Sequence, residues 1–349
     1  MCEFARVRIW YQARGPPSVA LDESMIDADK LAESSGMTAD HLRYVGQLIQ
    51  GGSGYSRVAI PQRRRRPRQV LMPSVGVDRA LKQLRMGLGF VSSYEPPDAV
   101  HGFVSGRDIV TNASKHLGRD VVLKVDLTDF FGSINRARAI SSLSRFDLDP
   151  ECAKMVADVS LVDDSVAQGF STSPLISNMA FHSTDEILEG LAEANSVTYT
   201  RYVDDLVFSG AVNRVNDDLL TGIELSLRNE GWSVNPRKTR FMRRGKAQYV
   251  TGLYVGDADG THIPRGMKKL LRREVYFASR YGLSNARDRS PTPIDAKRLG
   301  GWVHFAAHAD PAFGLPLRDV WREVVQSEPP PESWSWDSVL DDVGFPENW

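Results

Sequence analysis

Three aspartates carry the chemistry that reads most directly from this chain. Asp204 and Asp205 stand side by side in "YTRYVDDLVFSG" (199–210), between one apolar run at Tyr202 and Val203 and another at Leu206, Val207 and Phe208. Asp126 lies well before them, at the end of "VVLKVDL" (121–127), a run rich in β-branched residues. Two strand-like runs meeting at a turn read as a hairpin with the acid pair at its tip. An isolated acidic pair at a turn is ordinarily a solvated loop feature; the apolar flanks on both sides argue against that here. Carboxylates drawn together repel one another, so the cluster is costly without a cation. Magnesium takes oxygen ligands and keeps coordination positions open for substrate phosphates. Two such ions can activate an attacking 3′ hydroxyl and stabilise a departing pyrophosphate. The chemistry these residues suit is nucleotidyl transfer.

Composition sets the frame. A chain of 349 residues is expected to form two or three packed subdomains. Hydrophobic content of 42% and charged content of 25% belong to an ordinary soluble globular protein. No apolar run is long enough for a membrane-spanning helix, so no membrane association is expected. The opening "MCEFARVRIWYQARGPP" has early charges and no apolar stretch of the secretory kind. Cys2 and Cys152 form neither a disulfide framework nor a zinc site, and fit a reducing, cytoplasmic setting. The net charge of −1 hides basic blocks: "RRRRPR" (63–68), "RKTRFMRRGK" (237–246) and "RGMKKLLRR" (265–273). After Arg322 there is no Lys or Arg, while Glu323, Glu328, Glu332, Asp337, Asp341, Asp342 and Glu347 follow. Nucleic acid responds to local charge rather than to the sum, so the balance is compatible with nucleic-acid binding.

The elements that must position the acids follow from periodicity. Residues 27–50 are expected as one helix, ended by "GGSG" (51–54). Strands "YSRVAIP" and "QVLMP" flank the basic run, which reads as a hairpin tip. Helical spacing resumes over 77–90, and helices are expected over 135–146 with Asn135 as N-cap, over 150–161, and over 171–194 with Ser173 as N-cap and Pro174 at the first helical position. After the acidic hairpin come a helix across 214–230, a strand or hairpin over 247–255, and a helical stretch over 265–325. A proline-led acidic tail holds Trp334, Trp336 and Trp349; it is expected to pack on the body or to meet a partner.

The ordered motifs resemble the reverse transcriptase family. "YVDD" with its flanks is similar to the catalytic motif, and "VLKVDLTDFFGSIN" (122–135) to the first aspartate motif. "QGFSTSPLISN" (168–178), "NPRKT" (235–239) and "YVTGLYV" (249–255) resemble the motifs that follow in that family. "AIPQRRRRPRQVLMP" (59–73) resembles its fingers hairpin, without the usual glycines. Within the family, "HGFVSGRDIVTNASKH" (101–116) and "VTG" (250–252) resemble elements of bacterial retron reverse transcriptases, although Val203 stands where retrons more often carry Ala.

The resemblance implies an α+β right-hand polymerase fold, with fingers and palm sharing an antiparallel sheet and a helical thumb. The expected division is an N-terminal helical segment (1–52), fingers (53–120), palm (121–248, with a helical insertion over 135–165), thumb (249–325) and the acidic tail (326–349). It implies Asp126, Asp204 and Asp205 as catalytic carboxylates holding two Mg2+ ions, with the Leu127 carbonyl as a further ligand and Lys238 as a proton donor to pyrophosphate or a cation near it. Arg68, and more loosely Arg63, would hold the dNTP triphosphate, because a guanidinium fork suits phosphate oxygens. Gln168 and Gly169 would meet the nucleotide's sugar. Phe131 would exclude a ribonucleotide's 2′-hydroxyl by volume and by offering it no hydrogen bond, with Phe130 as the core residue beside it. Asn112, His116, Thr251, Gly252, Lys268, Lys269, Arg272 and Arg273 would contact nucleic acid. The implied partners are a cognate structured noncoding RNA, its DNA product and a separate effector protein in antiphage defence, with synthesis primed from a guanosine 2′-hydroxyl. Two other readings remain open: a bacterial reverse transcriptase that primes otherwise, and an RNA-binding scaffold without catalysis.

Overall fold

The computed structural model describes residues 25–62, 65–283 and 294–328. In chain order its elements begin with α1 (Ala28–Ser34), α2 (Ala39–Gln50), β1 (Tyr55–Gln62), β2 (Arg65–Pro73), α3 (Val75–Val91) and α4 (Ile109–Ser114). Next come β3 (Val121–Asp126), α5 (Arg136–Arg145), α6 (Pro150–Ser160), β4 (Leu161–Val162), β5 (Ser165–Val166), α7 (Ser173–Ala194), β6 (Thr198–Tyr202) and β7 (Asp205–Gly210). The last are α8 (Asp217–Asn229), β8 (Arg240–Arg243), β9 (Tyr249–Val250), β10 (Leu253–Tyr254), α9 (Arg265–Tyr281), α10 (Ala296–Ala309) and α11 (Pro311–Ser327). The described residues divide into two compact units, one made of those up to Tyr94 together with Ile134–Ala180, the other of Glu95–Ser133 together with those from Phe181 on. The boundary falls inside α7.

The first unit holds α1, α2, the β1–β2 hairpin, α3, α5, α6 and the β4–β5 hairpin. The single helix expected over 27–50 is two helices. Gly36 takes a left-handed φ of +66°, and the Thr38 side chain accepts from the His41 N–H to start α2. Leu31, Leu42, Ile49, Leu81, Leu84 and Leu88 are fully or nearly fully buried in its core. The β1–β2 hairpin pairs in register from Tyr55–Pro73 to Ile60–Arg68, shifts register before Gln62–Arg65, and is a sheet of its own. Sharing of one sheet by hairpin and acids, which the resemblance implied, is not found: among the described residues the acids lie on a separate four-stranded sheet. Asn135 caps α5 as expected, its side chain accepting from the Arg138 N–H. Ser173 does not cap α7: it already lies in the first turn, and its hydroxyl donates to the Ala167 carbonyl at 2.6 Å.

The second unit is built on a four-stranded antiparallel sheet in the order β6-β7-β3-β8. β3 is buried on both faces, which its unbroken Val-Val-Leu run requires. One apolar cluster joins Val122, Val207 and Met242 of the sheet to Met267, Leu271, Val275, Trp302, Val303 and Trp321 of α9, α10 and α11. The edge strand β8 lies inside what reads in sequence as a basic block; Met242 faces the core while Arg240 and Arg243 stay exposed. β9 and β10 close through Thr251 and Gly252, both with positive φ (46° and 82°), as a two-residue primed turn demands. No helix among the described residues is long and apolar enough to cross a membrane.

Candidate active site

Strand register puts Asp204 and Asp205 at the end of a buried hairpin. Tyr202 pairs with Asp205, which leaves Val203 and Asp204 as the turn between β6 and β7. β7 runs antiparallel to β3 from Gly210–Val121 down to Asp205–Asp126, so these two acids face one another across the strands. Directly opposed side chains have Cβ atoms roughly 5 Å apart. The Leu127 N–H donates to the Asp204 carbonyl at 3.3 Å, which ties the turn to the end of β3. All three carboxylates therefore meet at one end of the sheet.

Asp126 is 3% exposed, and its Oδ2 is buried with no hydrogen-bond partner. Its Oδ1 accepts from Lys238 Nζ at 2.9 Å. Lys238 gets there because the Asn235 N–H donates to the Asp126 carbonyl at 2.8 Å and a turn follows. Asp205 is paired with Lys124 Nζ at 2.6 Å. Burial, reinforced by Asp205 and then Asp126, raises the carboxyl of Asp204 above the usual range; Lys238 opposes this. A buried carboxylate oxygen without a donor, beside two further acids, fits a hard divalent cation, which takes oxygen ligands.

The turn is held from behind. Val203 is β-branched yet takes φ +61°, a conformation costing on the order of 1–3 kcal/mol that its surroundings must over-determine. Gly102 lies against it: a Cβ there would stand 2.5 Å from the Val203 nitrogen. The segment before Gly102 pairs along β6, with the Arg201 N–H donating to the Ala99 carbonyl and the His101 N–H to the Arg201 carbonyl, both at 2.8 Å. Arg201 and Asp185 form an ion pair with both side chains at 0% exposure. Arg201 Nε donates to Asp185 Oδ1 at 2.8 Å, Nη2 to Oδ2 at 2.7 Å, and Nη1 to the Val203 carbonyl at 3.2 Å. The Tyr199 hydroxyl also donates to Asp185, at 2.8 Å.

Other expected site residues fall in varied places. Phe131 is half-buried, its ring edge-on to Phe130 at 5.3 Å, and Phe130 is the core residue, packed against Phe181 and Trp232. In the first unit, Arg68 Nε donates to Gln168 Oε1 at 3.0 Å, so those two are brought together. Gly169 takes φ +109°, and a Cβ on it would stand 2.2 Å from the Leu71 carbonyl oxygen. The close approach it permits is thus to β2, whose Leu71 N–H donates to the Gln168 carbonyl at 2.8 Å. Arg63 lies outside the described residues.

His116 and Asn112 do not reach a surface; both are 0% exposed. The two ring nitrogens of His116 meet Ser209 Oγ at 2.6 Å and Thr200 Oγ1 at 2.7 Å, bridging β7 and β6. Burial pushes the His116 pKa down to about 3. Unfolded, the same imidazole titrates near its ordinary ~6.5, so between the two values only the unfolded state binds the proton. Stability is therefore expected to fall as pH drops from about 6.5 toward 3. Urea unfolding at pH 7 and at pH 4.5 checks this: His116→Gln should lessen the loss on acidification.

Thr251 anchors its turn by donating to the Ile109 carbonyl at 2.9 Å, beside Gly252. On α9, Lys268 is spent on the buried Asp310 at 2.6 Å and Arg273 pairs with Glu274. Lys269 and Arg272 are exposed, and the Arg272 guanidinium stacks 4.8 Å from the Phe313 ring. Arg265, Tyr276 and Arg280 are exposed on the same helix and extend this face. Asp257, Asp259 and His262 form a separate cluster that includes none of the three site acids.

Sequence reading passed over Lys124, Arg201 and Asp185. Lys124 was findable: two residues before Asp126 on a strand, it must share that residue's face.

The sequence pattern of the family described as "Reverse transcriptase (RNA-dependent DNA polymerase)" matches residues 78–263, more than half of the chain. Retron Mx162 reverse transcriptase of Myxococcus xanthus is 30% identical over 321 residues, covering 82% of this chain and 64% of that protein. Retron Mx65 reverse transcriptase, also of Myxococcus xanthus, is 35% identical over 246 residues, covering 65% and 56%. Retron Ec73 reverse transcriptase of Escherichia coli is 28% identical, covering 65% and 75%. The chain thus spans less than two thirds of the length of the two Myxococcus proteins. Among solved structures, a foamy viral protease–reverse transcriptase in complex with double-stranded DNA is 15% identical, covers 94% of this chain and 50% of that one, and has a TM-score of 0.47. Because the matched span runs from within α3 to the start of α9, taking in β3, the acidic turn and the Lys238 loop, the chain belongs to the reverse transcriptase family.

Proposed function

We propose that this protein is an RNA-directed DNA polymerase of the retron kind, which copies a cognate structured RNA into single-stranded DNA. The observation that carries the reading is the buried, unpartnered Oδ2 of Asp126, set at one sheet end with Asp204, in a chain of this family. Asp126 and Asp204 would hold Mg2+, two ions in all, with Asp205 and the Leu127 carbonyl beside them. Bound there, the metal would activate the 3′-hydroxyl and offset charge on the pyrophosphate.

The chain's own groups do the rest. Lys238 supplies a movable cation, or a proton, near the acids. Arg68, oriented by Gln168, is suited to the triphosphate of a dNTP. Phe131 offers a 2′-hydroxyl no hydrogen bond and would favour deoxynucleotides. The exposed face of Arg265, Lys269, Arg272, Tyr276 and Arg280 suits phosphate contacts, which position nucleic acid without reading it. The Thr251–Gly252 turn suits close approach to a strand backbone. Residues 53–120, 121–248 and 249–325 are assigned as fingers, palm and thumb.

Similarity to retron enzymes supports priming from a guanosine 2′-hydroxyl, a cytoplasmic setting, and work in antiphage defence with a separate effector. Sequencing the nucleic acid that copurifies with the native protein tests this. An RNA joined through a 2′ oxygen to DNA complementary to it is expected. DNA carrying an ordinary 3′–5′ primer junction would overturn the retron part and favour a reverse transcriptase that primes otherwise.

A further inference from the structure

The two lysines at the acidic site are built differently. Lys238 stands on a turn, is 42% exposed, and touches the acid whose other oxygen lacks a partner. Lys124 belongs to β3 itself. Alternation along the strand puts Lys124 on the face of Asp126, and Asp205 is the direct partner of Asp126 on β7, so Lys124 and Asp205 are diagonal neighbours. Their ion pair is short, 2.6 Å, and both side chains are largely withdrawn from water, at 21% and 23% exposure. Asp204, in the turn beside Asp205, makes no salt bridge among the described residues.

We propose that Lys124 is a positioning residue that holds Asp205 as a standing ion pair and thereby sets the cation affinity of the site, leaving Asp126 and Asp204 as the pair that binds the cation. This rests on reading the acids as a cation site. With three aspartates and two lysines the site carries a formal charge of −1. Removing Lys124 makes it −2 and releases Asp205 Oδ2 as a further ligand. Removing Asp205 alone leaves an unpaired lysine next to the cation. Removing both restores the original charge with Asp126 and Asp204 untouched.

The experiment is a Mn2+ titration of the full chain followed by calorimetry, with thermal unfolding as the check on folding. Binding that survives in Asp126→Asn/Asp204→Asn is subtracted as belonging elsewhere. Lys124→Met is expected to tighten Mn2+ binding by about tenfold or more, since a charge this close acts strongly on a divalent ion at the low effective dielectric of a half-buried site. Lys124→Arg should stay within about threefold of wild type, because it keeps the pair. Asp205→Asn should weaken binding, and Lys124→Met/Asp205→Asn should return to within about threefold of wild type. A double variant that binds more than about tenfold weaker than wild type would make Asp205 an essential ligand and overturn the proposal, as would an unchanged affinity in Lys124→Met. Full retention of Mn2+ binding by Asp126→Asn/Asp204→Asn would instead sink the cation site itself.

Discussion

Asp126→Asn and Asp204→Asn are each expected to cut RNA-templated dNTP incorporation by about a thousandfold or more. Each change preserves side-chain shape and removes one negative charge from a site whose work is to hold a cation against phosphate oxygens, an effect worth several kcal/mol of barrier. The fold should tolerate both. Asp204 is half-buried, raised in pKa and opposed by its acidic neighbours, so an amide relieves repulsion there. Asp126→Asn loses the Lys238 pair, but that lysine is 42% exposed and can return to water. Primer extension with wild type and both variants, with thermal unfolding run alongside, makes the check. Comparable incorporation by wild type and either variant would remove that acid from the chemistry.

The second large effect concerns stability at the same turn. Asp185→Asn or Arg201→Met is expected to cost about 3–5 kcal/mol, because either change strands a fully buried charge without its partner. Removing both charges, as in Arg201→Met/Asp185→Leu, should recover much of that loss, since well-packed apolar groups can replace a buried ion pair at little net cost. Incorporation should not recover with it. The Arg201 guanidinium also donates to the Val203 carbonyl and so restrains a turn in a left-handed conformation beside Asp204. Urea unfolding and primer extension on the same three variants separate the two roles. A single variant as stable as wild type would show that the pair carries no such weight.

How far this was legible from sequence differs by residue, for physical reasons. The acids were legible because strand periodicity and apolar flanks leave a carboxylate pair only one unusual place, the tip of a buried hairpin. The α+β right-hand fold was implied by the resemblance of the ordered motifs to the family, not by strand and helix periodicity alone. The break between α1 and α2 was missed because apolar spacing continues across it; only Gly36 and the capping Thr38 mark it. β8 was hidden because an edge strand with exposed arginines looks like a charge run. The resemblance implied nucleic-acid contacts for Asn112 and His116, whereas both are buried and hydroxyls from two strands satisfy the imidazole. Pairings such as Arg201–Asp185 join residues on a helix and a strand, and no local pattern announces them.

The central claim is that Asp126 and Asp204 together hold the catalytic cation. Its most direct test is anomalous scattering from a crystal grown with Mn2+, a dNTP and an RNA template with a DNA primer. A manganese peak between those two carboxylates is the predicted result. A map with manganese at Asp257, Asp259 and His262, and none against Asp126 and Asp204, would contradict it.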